Sequence, residues 1–103
     1  MELRDIQALV LSADPEAQHY ESSTSGGPFT VWAETSRLNL AADDGPVRGW
    51  RFAIDRYTPV EFDPVAVAIE AALAAAPGVA YQYIVDYETE TGYIHHAFTC
   101  EGV

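Results

Sequence analysis

Apolar and polar positions alternate along this chain with two different periods, and the switches between them mark the elements. Leu3, Ile6, Leu9 and Val10 recur at three- and four-residue spacing, which predicts a short amphipathic helix. It must stop before Pro15, because the residue preceding a proline is steered away from helical geometry. "AQHYESSTSGGPFTVWAE" then predicts a short strand, a Ser/Gly/Pro turn and a second strand from Phe29 to Glu34, together a hairpin. The next stretch, "TSRLNLAADDGPVRG", mixes polar residues with isolated apolar ones around an Asp-Gly-Pro break. It predicts a long excursion from Thr35 to Gly49, of the kind that contacts partners.

"GWRFAIDRYT" alternates at period two, with Trp50, Phe52 and Ile54 on one face and Arg51, Asp55 and Tyr57 on the other. Asp63 followed by Pro64 predicts a helix start, the carboxylate accepting from a free amide and proline taking the first helical position. Val65, Ile69, Ala72 and Leu73 supply its apolar face, and "APG" at 76–78 ends it. The alanines from Ala71 to Ala76 suit close packing of this helix on a sheet. "VAYQYIVDYETETGYIHHAFTC" predicts two strands around a short loop containing Gly92.

The register of that last hairpin is testable on the sequence. Pairing Glu88 with Tyr93 sets Asp86 opposite His95 and Val85 opposite His96. One face then holds Tyr81, Tyr83, Val85, Tyr87, Ile94, His96, Phe98 and Cys100. The other holds Gln82, Asp86, Glu88, His95 and Thr99, together with Ile84 and Ala97. Sliding one strand by a residue would mix these sets. The order helix, strands, helix, hairpin gives an α+β fold, an antiparallel or mixed sheet with two helices on one face. With 103 residues and no break in composition, the chain reads as a single domain, 1–103.

Charge narrows the partners. Sixteen acidic and five basic residues give a net charge of -11, and lysine is absent. A surface that grips nucleic acid by neutralising phosphates is therefore not expected. The acidity serves either solubility, or a surface that meets a basic partner or lets nucleic acid pass without sticking. Cys100 is the sole cysteine, which excludes an intrachain disulfide and fits a reducing, cytosolic setting. The acidic, periodic amino terminus has the pattern of neither a signal peptide nor a membrane span, and no membrane partner is expected.

The candidate chemistry centres on His19, His95, His96 and Cys100. Neighbouring strand residues point to opposite sides, so His95 and His96 do not converge on one metal ion. His96 and Cys100 share a face but stand roughly 13 Å apart at the usual strand rise. Cys100 sits among apolar neighbours, where a thiol behaves as a small inert hydrophobe. Asp43 with Asp44, and Glu88 with Glu90, lie in expected loops, where solvated charge is usual. "SGGP" lacks the lysine and following helix of a phosphate-binding loop. These residues predict no catalytic, cofactor or metal site, and a metal- or thiol-dependent enzyme stands as the third reading. His95 beside Asp86 instead suggests a modest, pH-sensitive contact at a protein interface.

"TVWAE", "GWRFAIDRYTP", the Asp-Pro helix and "YQYIVDYETETGYIHHAFTCEG", in that order from Leu3 onward, resemble small proteins of phage and prophage morphogenesis clusters. The similarity is to the tail terminator, or tail completion, family of head-tail joining proteins, lambda type included, with phage minor capsid and neck proteins close by. The resemblance implies a non-enzymatic virion protein of the neck and tail, assembled in the host bacterial cytoplasm. It would form a homo-oligomeric ring, often of six subunits, that ends the tail tube. Its partners would be the major tail tube protein and the head connector protein, with no cofactor and no specific nucleic-acid binding. The loops at 21–28 and 35–49 are then natural interfaces, with Asp43, Asp44, Arg48, Asp86 and His95 as candidate contact residues. The second reading is a small cytosolic binding or adaptor domain.

Overall fold

The computed structural model describes residues 1–22, 26–41 and 45–103. Helix α1 (Leu3–Ala13) is followed by β1 (Gln18–His19), β2 (Phe29–Leu40) and β3 (Val47–Thr58), then α2 (Pro64–Ala75), β4 (Val79–Glu88) and β5 (Tyr93–Gly102). The strands form one mixed sheet in the order β1-β2-β3-β5-β4, and the fold is α+β as expected.

Each helix begins where its sequence dictates. The Glu2 amide donates to Asp5 Oδ2 at 2.7 Å at the start of α1. At the start of α2, Asp63 accepts from the amides of Val65 and Ala66, both at 3.3 Å, with Pro64 following. The helices pack side by side over one sheet face. Ile6 and Val10 from α1, with Ile69 and Leu73 from α2, close on Trp32, Phe52, Ile54, Phe98 and Cys100 to make the core. Ala66 is buried on α2 as well, while Ala72 is only half-buried.

The β4–β5 register agrees with the sequence reading at every expected pair: Glu88 opposite Tyr93, Asp86 opposite His95 and Val85 opposite His96. Two other expectations are corrected. The segments expected to form an amino-terminal hairpin are instead parallel, with Gln18 opposite Val31 and His19 opposite Trp32. Parallel pairing requires the chain to return to the far end of β2, and Tyr20, Gly26 and Gly27 take left-handed backbone angles (φ 72°, 74° and 77°) along that return.

The expected excursion from Thr35 to Gly49 is largely strand. A register shift between Glu34 and Ser36 inserts a residue, after which pairing continues from Ser36↔Arg51 to Leu40↔Val47. Such a bulge reverses the face on which alternate side chains fall, so the period-two apolar pattern is broken where the strand goes on. Because β5 meets β3 only from Trp50 onward, the pairs Leu38↔Gly49, Asn39↔Arg48 and Leu40↔Val47 form a two-stranded arm beyond the sheet. The molecule measures 49 × 22 × 22 Å. At the root of the arm the backbones close up, and a Cβ on Gly49 would stand 1.9 Å from the Gly102 carbonyl oxygen.

Candidate functional site

The sheet has a covered face and an open one, and polar groups behave differently on each. On the covered face, Arg56 is in phase with Phe52 and Ile54 and is itself only 7% exposed. Its Nε donates to Asp63 Oδ2 at 2.8 Å and its Nη1 to Thr30 Oγ1 at 3.3 Å, with Asp14 Oδ2 3.6 Å from Nη1. One guanidinium thus ties the end of α1, the cap of α2 and two strands together. Burial alone would push the Asp63 carboxyl up, but the bond and charge of Arg56, with two α2 amides, hold it below its ordinary value.

His96 lies directly opposite Arg56. Its Nδ1 shares a hydrogen bond with the Tyr83 hydroxyl, and its buried Nε2 has no partner among the described residues. Burial, opposed by the Asp63 charge and helped by Arg56, lowers its pKa. Cys100 is buried, and loss of hydration pushes its thiol up to about 12, the protonated behaviour expected of a core cysteine.

On the open face, Phe29, Tyr57 and His95 form a ladder across β2, β3 and β5. Phe29 stacks on Tyr57 with ring centroids 4.8 Å apart, and Tyr57 on His95 at 4.2 Å. His95 Nε2 donates to Asp55 Oδ1 at 2.7 Å. Beside this ladder a shallow notch of about 280 Å³, walled mainly by apolar atoms, is lined by Gly26, Gly27, Phe29, Tyr57, Glu88, Thr91 and Tyr93.

At the β1 edge, His19 is stacked between Tyr20 and Trp32, with centroids at 3.7 and 3.8 Å. It bonds Glu34 Oε1 at 2.7 Å, and the Tyr20 hydroxyl donates to the other oxygen at 2.8 Å. Among the described residues, no group of three or more His, Cys, Asp or Glu is placed to hold a metal ion. No described helix is long and apolar enough to cross a membrane.

The candidate contact residues are not gathered into one place. Asp43 and Asp44 lie outside the described residues. Arg48 is exposed on the arm, paired across from Asn39, whereas Asp86 and His95 lie near the β4–β5 turn at the other end of the sheet. His95 does face the open side, but its acid is Asp55 rather than the expected Asp86, which stands directly opposite and exposed. The sequence reading missed Arg56 as an organiser. The signal was present: an arginine in register with Phe52 and Ile54, with acids at both nearby helix ends.

The class these features define is a small α+β fold with two helices over one sheet face, an open second face and a projecting arm. No family model matches the chain, and no curated protein does. Among solved structures, a chain of the "Virion of native gene transfer agent (GTA) particle" is similar, with a TM-score of 0.60 at 11% sequence identity, covering 92% of this chain and 83% of that chain. At that identity the likeness establishes a shared fold.

Proposed function

We propose that this chain is a structural subunit of a phage-like virion, acting at the head-tail junction as a ring that terminates the tail tube. The observation that carries the reading is the likeness, over nearly the whole chain, to a chain of a gene transfer agent virion. Three features of the molecule support it. Its open sheet face leaves Ile84 52% exposed, the arm extends beyond the sheet, and the outer edges of β4 and of β2 past Trp32 have no partner strand among the described residues. Free strand edges and an uncovered face suit a subunit whose burial is finished by its neighbours.

In this reading the ring contacts the major tail tube protein on one side and the head connector on the other. The charge of -11 would line the passage with carboxylates that repel the DNA backbone and let it slide. Sedimentation across protein concentration, followed by electron microscopy with purified tail tubes, tests the proposal. Rings capping the tube ends are expected; a chain that stays monomeric at all concentrations and ignores tail tubes would overturn it.

A further inference from the structure

We propose that the outer edge of β4 pairs antiparallel with the same edge of a second copy of this chain, about a two-fold axis at Ile84. Such a contact closes at two copies. It is therefore separate from the contacts that build a ring, and it does not rest on that reading.

The edge is open and unguarded. The Glu88 carbonyl accepts from the Gly92 amide, and the Gly78 carbonyl from the Val103 amide, so the even-numbered residues between them turn their backbone groups toward β5. Tyr81, Tyr83, Val85 and Tyr87 turn theirs outward, where no strand among the described residues meets them. Solitary edges are commonly blunted by a bulge, a proline or a basic residue. The free length of β2 has a bulge between Glu34 and Ser36 and carries Arg37. β4 has no such device. It pairs with β5 from Val79↔Gly102 to Glu88↔Tyr93 without a register shift, and it contains no proline and no basic residue. Apolar surface gathers along it as well: Ile84 on the open face, with Val85 and Tyr87 on the other, are each more than half exposed. Val67 is exposed on the same flank, one turn before Glu70, which accepts from the Tyr81 hydroxyl at 3.3 Å.

The sequence of the edge selects a second copy as the occupant. Read outward from Ile84, "YQYIVDY" is a palindrome in polarity: Tyr83 answers Val85, Gln82 answers Asp86 and Tyr81 answers Tyr87. Antiparallel pairing about Ile84 sets the aromatic and aliphatic side chains against one another on one face, and Gln82 against Asp86 on the other. The backbone parity agrees. Tyr83↔Val85 and Tyr81↔Tyr87 become hydrogen-bonded pairs, and Ile84 meets its twin at a non-hydrogen-bonded site with α-carbons about 4.5 Å apart. Charge selects this register over its neighbours. An axis at Asp86 would oppose two carboxylates directly, and one at Val85 would set them on a diagonal. About Ile84 the two Asp86 residues stand four positions, about 13 Å, apart along the strand, beyond the screening length of about 8 Å at physiological salt.

Sedimentation equilibrium of the intact chain should show monomer and dimer in exchange. Two chains of charge -11 repel each other while the contact itself is apolar, so the dimer should tighten several-fold between about 0.05 and 0.5 M NaCl. Amide exchange at Tyr81, Tyr83, Val85 and Tyr87 should slow as protein concentration rises, with no change along β2. Ile84→Lys, at an exposed position, should abolish the dimer and leave the urea midpoint of the monomer unchanged. Ile84→Cys should give a disulfide-linked dimer on oxidation. Gln82→Cys and Asp86→Cys should each stay unlinked alone and link when the two are mixed.

A dimer that weakens with salt is held by arginine against carboxylate, and would overturn the proposal. So would protection along β2 in place of β4, a dimer indifferent to Ile84→Lys, or a chain that stays monomeric at every concentration and salt. A β4 dimer that ignores tail tubes would defeat the ring reading alone. Rings that cap tail tubes while β4 never pairs with itself would defeat this inference alone.

Discussion

His95 and His96 are neighbours on β5, yet the two sheet faces treat them in opposite ways. His96 lies toward the helices, shares a hydrogen bond with Tyr83 and leaves a buried nitrogen without a partner among the described residues. His95 lies on the open face, stacked on Tyr57 and bonded to Asp55. Among the described residues, the buried charges of the covered face, Asp14, Arg56 and Asp63, gather in one network in which each depends on the others, while His19 and Glu34 pair nearer the β1 edge. The open face keeps its charged pairs, Asp55 with His95 and Arg51 with Glu101, partly in water, where each is replaceable. Stability should therefore be concentrated on the first face.

The largest test of that division is Arg56→Leu. It leaves Asp63 and Asp14 buried without their cation, and breaking a buried pair from one side costs about 3–5 kcal/mol. Urea denaturation should show a loss of that size, and a loss under about 1 kcal/mol would mean the network is not what the covered face depends on. Gly49→Ala comes next. Its Cβ would meet the backbone oxygen of Gly102 at 1.9 Å, so the root of the arm must part from β5. A cost of about 2 kcal/mol is expected, in the range for forced overpacking. Amide exchange should increase at Trp50 and Gly102 while the turn end of the hairpin is unaffected.

What was legible in the sequence follows the same division. Strict alternation exposed β3, and facing sets of residues fixed the β4–β5 register, because a buried face penalises every slip. Asp63-Pro64 marked α2 through a local hydrogen bond that needs no tertiary information. The second half of β2 was hidden because the bulge after Glu34 breaks the parity on which alternation depends. β1 was misplaced because two residues, Gln18 and His19, carry no period, and their direction is set by the path of the following chain. The partner of His95 could not be read from its own hairpin. Asp55 is reached only once β3 is known to lie beside β5, with Tyr57 directly opposite His95 and Asp55 two residues along.

A pH titration sharpens the contrast further. Because burial depresses the His96 pKa, the fold favours its neutral form. Its contribution to stability is complete above the ordinary histidine value of about 6.5 and is lost as pH falls through the lower folded value. Denaturation midpoints measured between pH 7 and 5 should fall with acidification. His96→Leu should flatten that slope, whereas a slope that survives the substitution would place its origin in another group.

The smallest effect belongs to the open face. His95→Ala removes a 2.7 Å bond to Asp55 and a stacked ring, but both partners keep access to water. The side chains of His95 and Asp55 are 23% and 31% exposed, so either left alone can be rehydrated. Exposed pairs contribute about 0.2–1 kcal/mol, and a double-mutant cycle with Asp55→Ala should return a coupling inside that range. A coupling of several kcal/mol would show that the open face is as interdependent as the covered one. A small coupling would separate the two faces by energetics: the Arg56 network is interdependent, whereas the pairs of the ladder are individually replaceable.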